Sequence, residues 1–242
     1  MLTKFIRFNH VLGLTLMFIP FITFSSVVMT GTRIIYNESN KEKTVQFSNT
    51  GQTPYVVDIS INDNKNTDTD INKEKNDIFI AIPQIFKIEP HAGQIIKLIK
   101  LADNLPNDKE SVLYFNFSQI PATTEEQSSQ NQLALLFNSQ VKIFYRPKSI
   151  ENKENTLNDL FVSKEKNRLK INNDSPFHIV IKEANLISEK NKFIVAKSVM
   201  LSPKSVYFWD IPSKVNKNSA KEIEFEIIND YGSSQFYSKK LN

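Results

Sequence analysis

The chain has 242 residues, 30 Lys and Arg against 26 Asp and Glu, five glycines, three histidines and no cysteine. Without cysteine it can hold neither a disulfide framework nor a thiol nucleophile, and five glycines form no P-loop or dinucleotide fingerprint. A net charge of +4, spread rather than clustered, is too small to argue for nucleic acid or anionic lipid.

The first segment reads MLTKFIRFNHVLGLTLMFIPFITFSS. Lys4 and Arg7 make a basic head, Val11 to Phe24 an apolar body, and Thr23 and Ser25 are small enough for the −3 and −1 pockets of a peptidase. This pattern predicts a secretory leader over residues 1–25. An uncleaved transmembrane helix is the competing reading, weakened by Pro20 inside the apolar stretch. Two of the 30 cations sit in the leader, which leaves 28 against 26 anions on an exported chain of about 217 residues. That length suits one large or two ordinary domains.

After the leader the pattern is all strand. TRIIYN, KTVQFSN, PYVVDISIN, DIFIAIP, QIIKLIKL, SVLYFNFSQI and the run from 133 to 147 are β-branched or aromatic stretches separated by Asn, Asp, Pro and Gly. Seven such runs predict an immunoglobulin-like sandwich over residues 26–147. The polar stretch 148–155 is expected to connect it to a second sandwich, 156–242, carrying RLKINND, HIVIKEANLI, KFIVAKSVML, VYFWDIP, EIEFEIIND and QFYSKKL. No helical period persists for three turns. Residues 61–77 and 121–132 are polar enough to be mobile loops. Thr53-Pro54-Tyr55 and Ser175-Pro176-Phe177 each follow a turn and open a strand. A cis proline could set a bend there, though ordinary trans turns are the expectation.

Enzymatic chemistry finds no foothold. His91 and His178 fall in different predicted domains, which argues against a zinc site, and no G-x-S-x-G elbow occurs. Acids are plentiful, but no spacing singles out a glycosidase pair. The composition therefore points to binding, with no cofactor, no metal and no small-molecule substrate.

Residues 133–147, LALLFNSQVKIFYRP, are about twice the usual strand length. Leu133, Leu135, Phe137, Val141, Ile143 and Tyr145 keep one apolar face going, broken at Ser139. Alternation alone favours all of them filling the chain's own core. Lys142 sits inside this strand with the opposite parity, so an unbroken flat strand would point it to the other face.

Four stretches together resemble the PapD-like periplasmic chaperones of the chaperone–usher pilus pathway: LPNDKESVLYFNFSQIPA (105–122), VKIFYRP (141–147), VMLSPKS (199–205) and INDYG (228–232). TRIIY (32–36) and IPQIFKIEP (82–90) add support, and Phe117 departs from the usual aliphatic residue. The resemblance implies an all-β boomerang of two immunoglobulin-like domains with a cleft between them. Its expected partners are pilus or fimbrial subunits and an outer-membrane usher, in the periplasm. It further implies that Leu133, Leu135 and Phe137 are lent to the open groove of a subunit, and that Arg33 and Lys142 grip the subunit's terminal carboxylate. Glu110, Arg146 and Asp230 fall where the family carries an interdomain salt bridge. The short loop before the lent strand and the absence of cysteine look like the short-loop branch, associated with rod-like adhesive pili. An exported immunoglobulin-like structural or adhesive subunit is the alternative from another class, and a hydrolase on a sandwich scaffold a third.

Overall fold

The structure is a computed structural model that describes residues 27–63, 78–122, 135–154, 157–189, 191–216 and 219–241. The leader expected at 1–25, Leu133 and most of the polar stretches 61–77 and 121–132 lie outside the described residues.

The first half holds β1 (Val27–Met29), β2 (Arg33–Asn37), β3 (Lys43–Asn49), β4 (Tyr55–Asn62), β5 (Phe79–Ile82), β6 (Ile85–Ile88), β7 (Gly93–Lys100), β8 (Ser111–Pro121) and β9 (Phe137–Arg146). They form a four-stranded sheet, β1-β3-β7-β5, and a five-stranded sheet, β2-β9-β8-β4-β6. Alternate residues point between the two layers, as strand periodicity requires. Val45 and Phe47 of β3 meet Leu113, Phe115 and Phe117 of β8, all buried. The Phe47 and Phe117 rings meet edge to face at 5.1 Å.

The second half holds β10 (Leu160–Glu165), β11 (Arg168–Asn173), β12 (Ile179–Ser188), β13 (Asn191–Leu201), β14 (Ser205–Asp210), β15 (Ala220–Ile228) and β16 (Ser234–Lys240). Sheet β10-β11-β14 covers sheet β13-β12-β15-β16. Leu169, Ile171, Ile181, Leu186, Ile223 and Phe225 lie in the core between them. The fold is two β-sandwiches in sequence. The stretch 148–155, expected to be a plain connection, contains one helical turn, Lys148–Glu151, whose Ile150 is buried.

Three strands exceed the sequence expectation. β1 is only three residues long and follows directly on the apolar N-terminal stretch of the sequence. β6 is separated from β5 by Pro83 and Gln84 alone, and β10 is a short LFVSKE run next to the connection. Pro54 and Pro176 are trans; the cis X-Pro bond among the described residues is Ile82–Pro83.

What organises the turns before Pro54 and Pro176 is a buried asparagine, used in the same way in both sandwiches. Asn49 donates from Nδ2 to the carbonyls of Thr53 (2.8 Å) and Glu89 (3.2 Å), and its Oδ1 accepts from the Gly51 amide (3.0 Å). Asn173 donates to the carbonyls of Phe177 (2.9 Å) and Ser202 (2.8 Å), and its Oδ1 accepts from the Ser175 amide (3.2 Å). Both side chains are fully buried. Each satisfies loop polar groups that would otherwise be dehydrated without partners.

One guanidinium ties the two sandwiches together. Arg146, the last residue of β9, donates from Nε to Glu110 at 2.9 Å and from both terminal nitrogens to the Asp230 carboxylate at 2.7 Å. Its plane lies 5.0 Å from the centre of the Phe177 ring. Glu110 reaches across as well. Its second oxygen accepts from the His178 amide (2.8 Å) and lies 2.9 Å from His178 Nδ1, while its own amide donates to the Pro176 carbonyl (2.9 Å). Burial pulls the Arg146 pKa down, but the bonds and charges of Asp230 and Glu110 more than offset this and hold it above its ordinary value.

Two stability predictions follow from these buried polar groups. Asn173→Ala is expected to cost about 1–3 kcal/mol for each carbonyl left unpaired, read as a lower urea midpoint; an unchanged midpoint would mean that water replaces the amide. Glu110→Ala strands Arg146 and the His178 amide and is expected to cost about 3–5 kcal/mol, with Asp230→Ala costing less because its carboxylate is partly solvated. Equal melting shifts for the two variants would contradict that ranking.

Candidate functional site

β9 is where the two sandwiches and an open surface meet. At its C-terminal end Ile143, Phe144, Tyr145 and Arg146 are all buried. Ile143 and Tyr145 enter the first core, whereas Phe144 faces His178 (ring centres 6.0 Å apart) and Arg146 faces Asp230. At the other end the same apolar parity continues past the core. Val141 is only partly covered, Phe137 is 49% exposed and, just before the strand, Leu135 is 57% exposed. The expectation from alternation alone, that every apolar residue here fills the chain's own core, therefore fails for Leu135 and Phe137.

The ladder on β9 is equally uneven. β8 pairs with it antiparallel along its length, from Ser111↔Tyr145 to Gln119↔Phe137, without a register shift. β2 pairs with the other edge in parallel, but only from Arg33↔Lys142 to Asn37↔Arg146. Among the described residues, no strand pairs with that edge from Phe137 to Val141. The backbone amides and carbonyls there form an open edge beside exposed apolar side chains, which is the arrangement that invites another strand.

Arg33 and Lys142 stand at the end of that edge. They are directly paired neighbours on adjacent strands, so their side chains share one face of the sheet. The absence of a bulge between Phe137 and Lys142 settles the parity question: the cations lie on the opposite face from Phe137. Arg33 donates from Nη1 to the Ile228 carbonyl (3.0 Å), and its guanidinium lies 5.5 Å from the Phe144 ring centre. Its Nε is buried and has no hydrogen-bond partner. Burial lowers the Arg33 pKa, opposed by the attraction of Asp230 and Glu110. A half-buried cation with an unfilled donor gains strongly from an incoming carboxylate.

The structure thus brings Arg33, Lys142, Glu110, Arg146 and Asp230 to one junction and leaves Leu135 and Phe137 farther along β9. It also brings in residues that sequence reasoning passed over. His178 and Phe177 cap Glu110 and Arg146, and the only sequence hint was their position directly after Pro176. Gly232 is another. It has φ +80°, and a Cβ placed on it would fall 2.5 Å from Thr32 Oγ1. The INDYG turn of the second sandwich can therefore close on the residue before Arg33 only with glycine there.

Among the described residues no group of three or more His, Asp or Glu side chains is placed to hold a metal ion. No helix among them is long and apolar enough to cross a membrane.

Comparison with known proteins places the chain in a family. Residues 26–151 match the model of the pili and flagellar-assembly chaperone PapD N-terminal domain, and residues 156–239 that of the pili assembly chaperone PapD C-terminal domain. The probable fimbrial chaperone YehC of Escherichia coli K12 is 32% identical over 211 residues, covering 86% of this chain and 84% of that protein. The crystal structure of the Pseudomonas aeruginosa CupB2 chaperone superposes with a TM-score of 0.73 at 25% identity, covering 89% of this chain and all of that one. A chain from the Salmonella enterica complex of SafA pilin with the SafB chaperone shares the fold, with a TM-score of 0.70 at 20% identity over 92% of this chain and 99% of that one. With both of its halves matched in order, the chain belongs to the PapD family of pilus-assembly chaperones.

Proposed function

We propose that this chaperone works in the periplasm, where it captures pilus subunits by lending them the open edge of β9, anchors their terminal carboxylate on Arg33 and Lys142, and passes them to an outer-membrane usher. Residues 1–25 are its export leader, and the sandwiches 26–147 and 156–242 are its two domains, joined through 148–155. It acts by binding, without catalysis or cofactor. The observation that carries this reading is a coincidence of place: the edge of β9 that no strand covers among the described residues stops where the Arg33↔Lys142 pair begins.

The physical logic runs along that edge. A guest strand laid beside Phe137–Val141 would lie in the plane of the sheet, with main-chain bonds holding it, a recognition mode for which chaperone–pilin complexes are a known example. Its end would meet the two cations head on. Leu135 and Phe137 would project to one side of the shared sheet, into the guest's own core, while Arg33 and Lys142 serve the strand terminus. Opposite faces are thus compatible with one guest. Leu133 is assigned to the same role by its position in the sequence. Each apolar side chain of this size that is buried contributes about 1.5–3 kcal/mol. A carboxylate desolvated between two cations fixes register, and losing one partner of such a set costs about 2–5 kcal/mol. A subunit that lacks a strand has the complementary need, since its bare edges and open core aggregate in water.

Two measurements test the reading. Lys142→Ala and Arg33→Ala are expected to lose co-purification of a co-expressed pilus subunit while circular dichroism still reports a folded β protein. Arg33→Ala also removes the bond to the Ile228 carbonyl, so its melting temperature is measured alongside. Wild-type amounts of retained subunit in either variant would reject the anchor. Phe137→Asp is expected to weaken capture with little change in melting temperature, since the side chain is half exposed; a collapse of folding would return Phe137 to the chaperone's own core.

A further inference from the structure

The most exposed large hydrophobic side chain among the described residues is Tyr231, at 92%. It does not sit on a loose loop. The turn from Asn229 to Ser233 is closed on itself: the Asn229 amide donates to the Ser233 carbonyl and the Gly232 amide to the Asn229 carbonyl, both at 2.9 Å. Asn229 Oδ1 accepts from the amides of Tyr231 and Ser233, both at 3.0 Å. On one side of Tyr231, Asp230 is clamped by Arg146. On the other, Gly232 lies so close to Thr32 that no larger residue fits. The carbonyl of Ile228, at the base of the turn, is bonded by Arg33. Ile228, Asp230 and Gly232 around Tyr231 are thus held against the first sandwich at Arg33, Arg146 and Thr32, while the Tyr231 ring stands in water.

Holding an aromatic ring out from a rigid turn leaves apolar surface hydrated, with no gain in fold stability. It is, however, a favourable design for contact with a partner, because little freedom remains to be lost on binding. Position selects the partner. The open edge of β9 ends at Arg33, and Thr32, the residue before it, abuts this turn. A strand that runs along the edge to the two cations arrives beside Tyr231.

We infer that Tyr231 is a subunit-binding residue supplied by the second sandwich, its ring packing against the captured pilus subunit next to the carboxylate anchor. This rests on the reading of the β9 edge and the Arg33–Lys142 pair given above. It extends the binding surface to the second sandwich, and it assigns to the INDYG turn a contact role in addition to the orienting role of Asp230. The contact is through the ring, so the hydroxyl is dispensable.

The test uses the whole mature chaperone and a co-expressed pilus subunit that the wild type retains. Tyr231→Ala is expected to weaken the complex about tenfold, in line with aromatic truncation at an interface, at unchanged melting temperature, whereas Tyr231→Phe stays near wild type. Independently, nitration of Tyr231 in the wild-type protein, read by peptide mass spectrometry, is expected to be fast in the free chaperone and suppressed in the complex. This second readout decides the matter even if Tyr231→Ala fails to fold. Equal nitration with and without subunit, or wild-type affinity of Tyr231→Ala while Arg33→Ala loses capture, overturns the role of Tyr231 and leaves the anchor standing. Retained capture by Arg33→Ala as well would overturn the anchor itself, and this inference with it.

Discussion

Strand β9 cannot turn about its own axis, and the organisation of the molecule depends on that restriction. Its C-terminal half is laddered on both edges, by β8 and by β2, and its last side chain is locked in a two-pronged bond with Asp230 and a third bond with Glu110. With one end fixed, strand parity dictates every direction upstream. Odd positions face the first core until that core runs out, and then they face water. Even positions face the second sandwich until that runs out, and the transition falls at Lys142. One ten-residue strand is therefore core wall, domain contact and open edge in turn.

The fixed end is electrostatic, and its strength should not be confused with stability. Two charges taken out of water regain in mutual attraction only about what dehydration costs them, so a buried ion pair adds little net free energy compared with apolar residues of the same size. What the Glu110–Arg146–Asp230 set supplies is direction. A planar guanidinium that bonds two carboxylates at once accepts few geometries, and here the two acids come from different sandwiches. Glu110 takes the His178 amide and ring on its second oxygen, so the contact is specified from four backbone segments. Arg33 contributes a fourth tie through the Ile228 carbonyl and keeps a donor unfilled. A group that binds on Arg33 acts on a residue that already belongs to the domain contact.

Much of the architecture could be read from the sequence because strand alternation is a local signal. The period-2 runs from KTVQFSN to QFYSKKL correspond to strands within a residue or two, except the run from 133 to 147, which among the described residues is strand only from Phe137. β1, β6 and β10 escaped because three to six residues adjoining an apolar N-terminal stretch, a proline or a connection carry too little period to stand out. The duplicated asparagine device was invisible for a different reason. Asn49 and Asn173 read as turn residues, and only three-dimensional proximity shows that each holds carbonyls from two separate loops. The junction residues were reachable through resemblance rather than through physics. Nothing in the bare sequence connects Arg33 with Lys142, 109 positions apart, or Gly232 with Thr32, because such contacts are set by how the two sandwiches meet.

β2 covers β9 only from Lys142 onward, and among the described residues no strand pairs with that edge over the five residues Phe137 to Val141. At about 3.3 Å per residue that gap is roughly 17 Å long, and it is closed at one end by a pair of positive charges. The gap is a ruler with a stop. A strand that paired with this edge and ended at the stop would have its pairing length counted out in advance, and the spacing back from its terminus would be fixed. β2 sets that spacing: one residue added to its start would shorten the scale by a rung and reverse which face of any strand paired there lies on the side of Phe137.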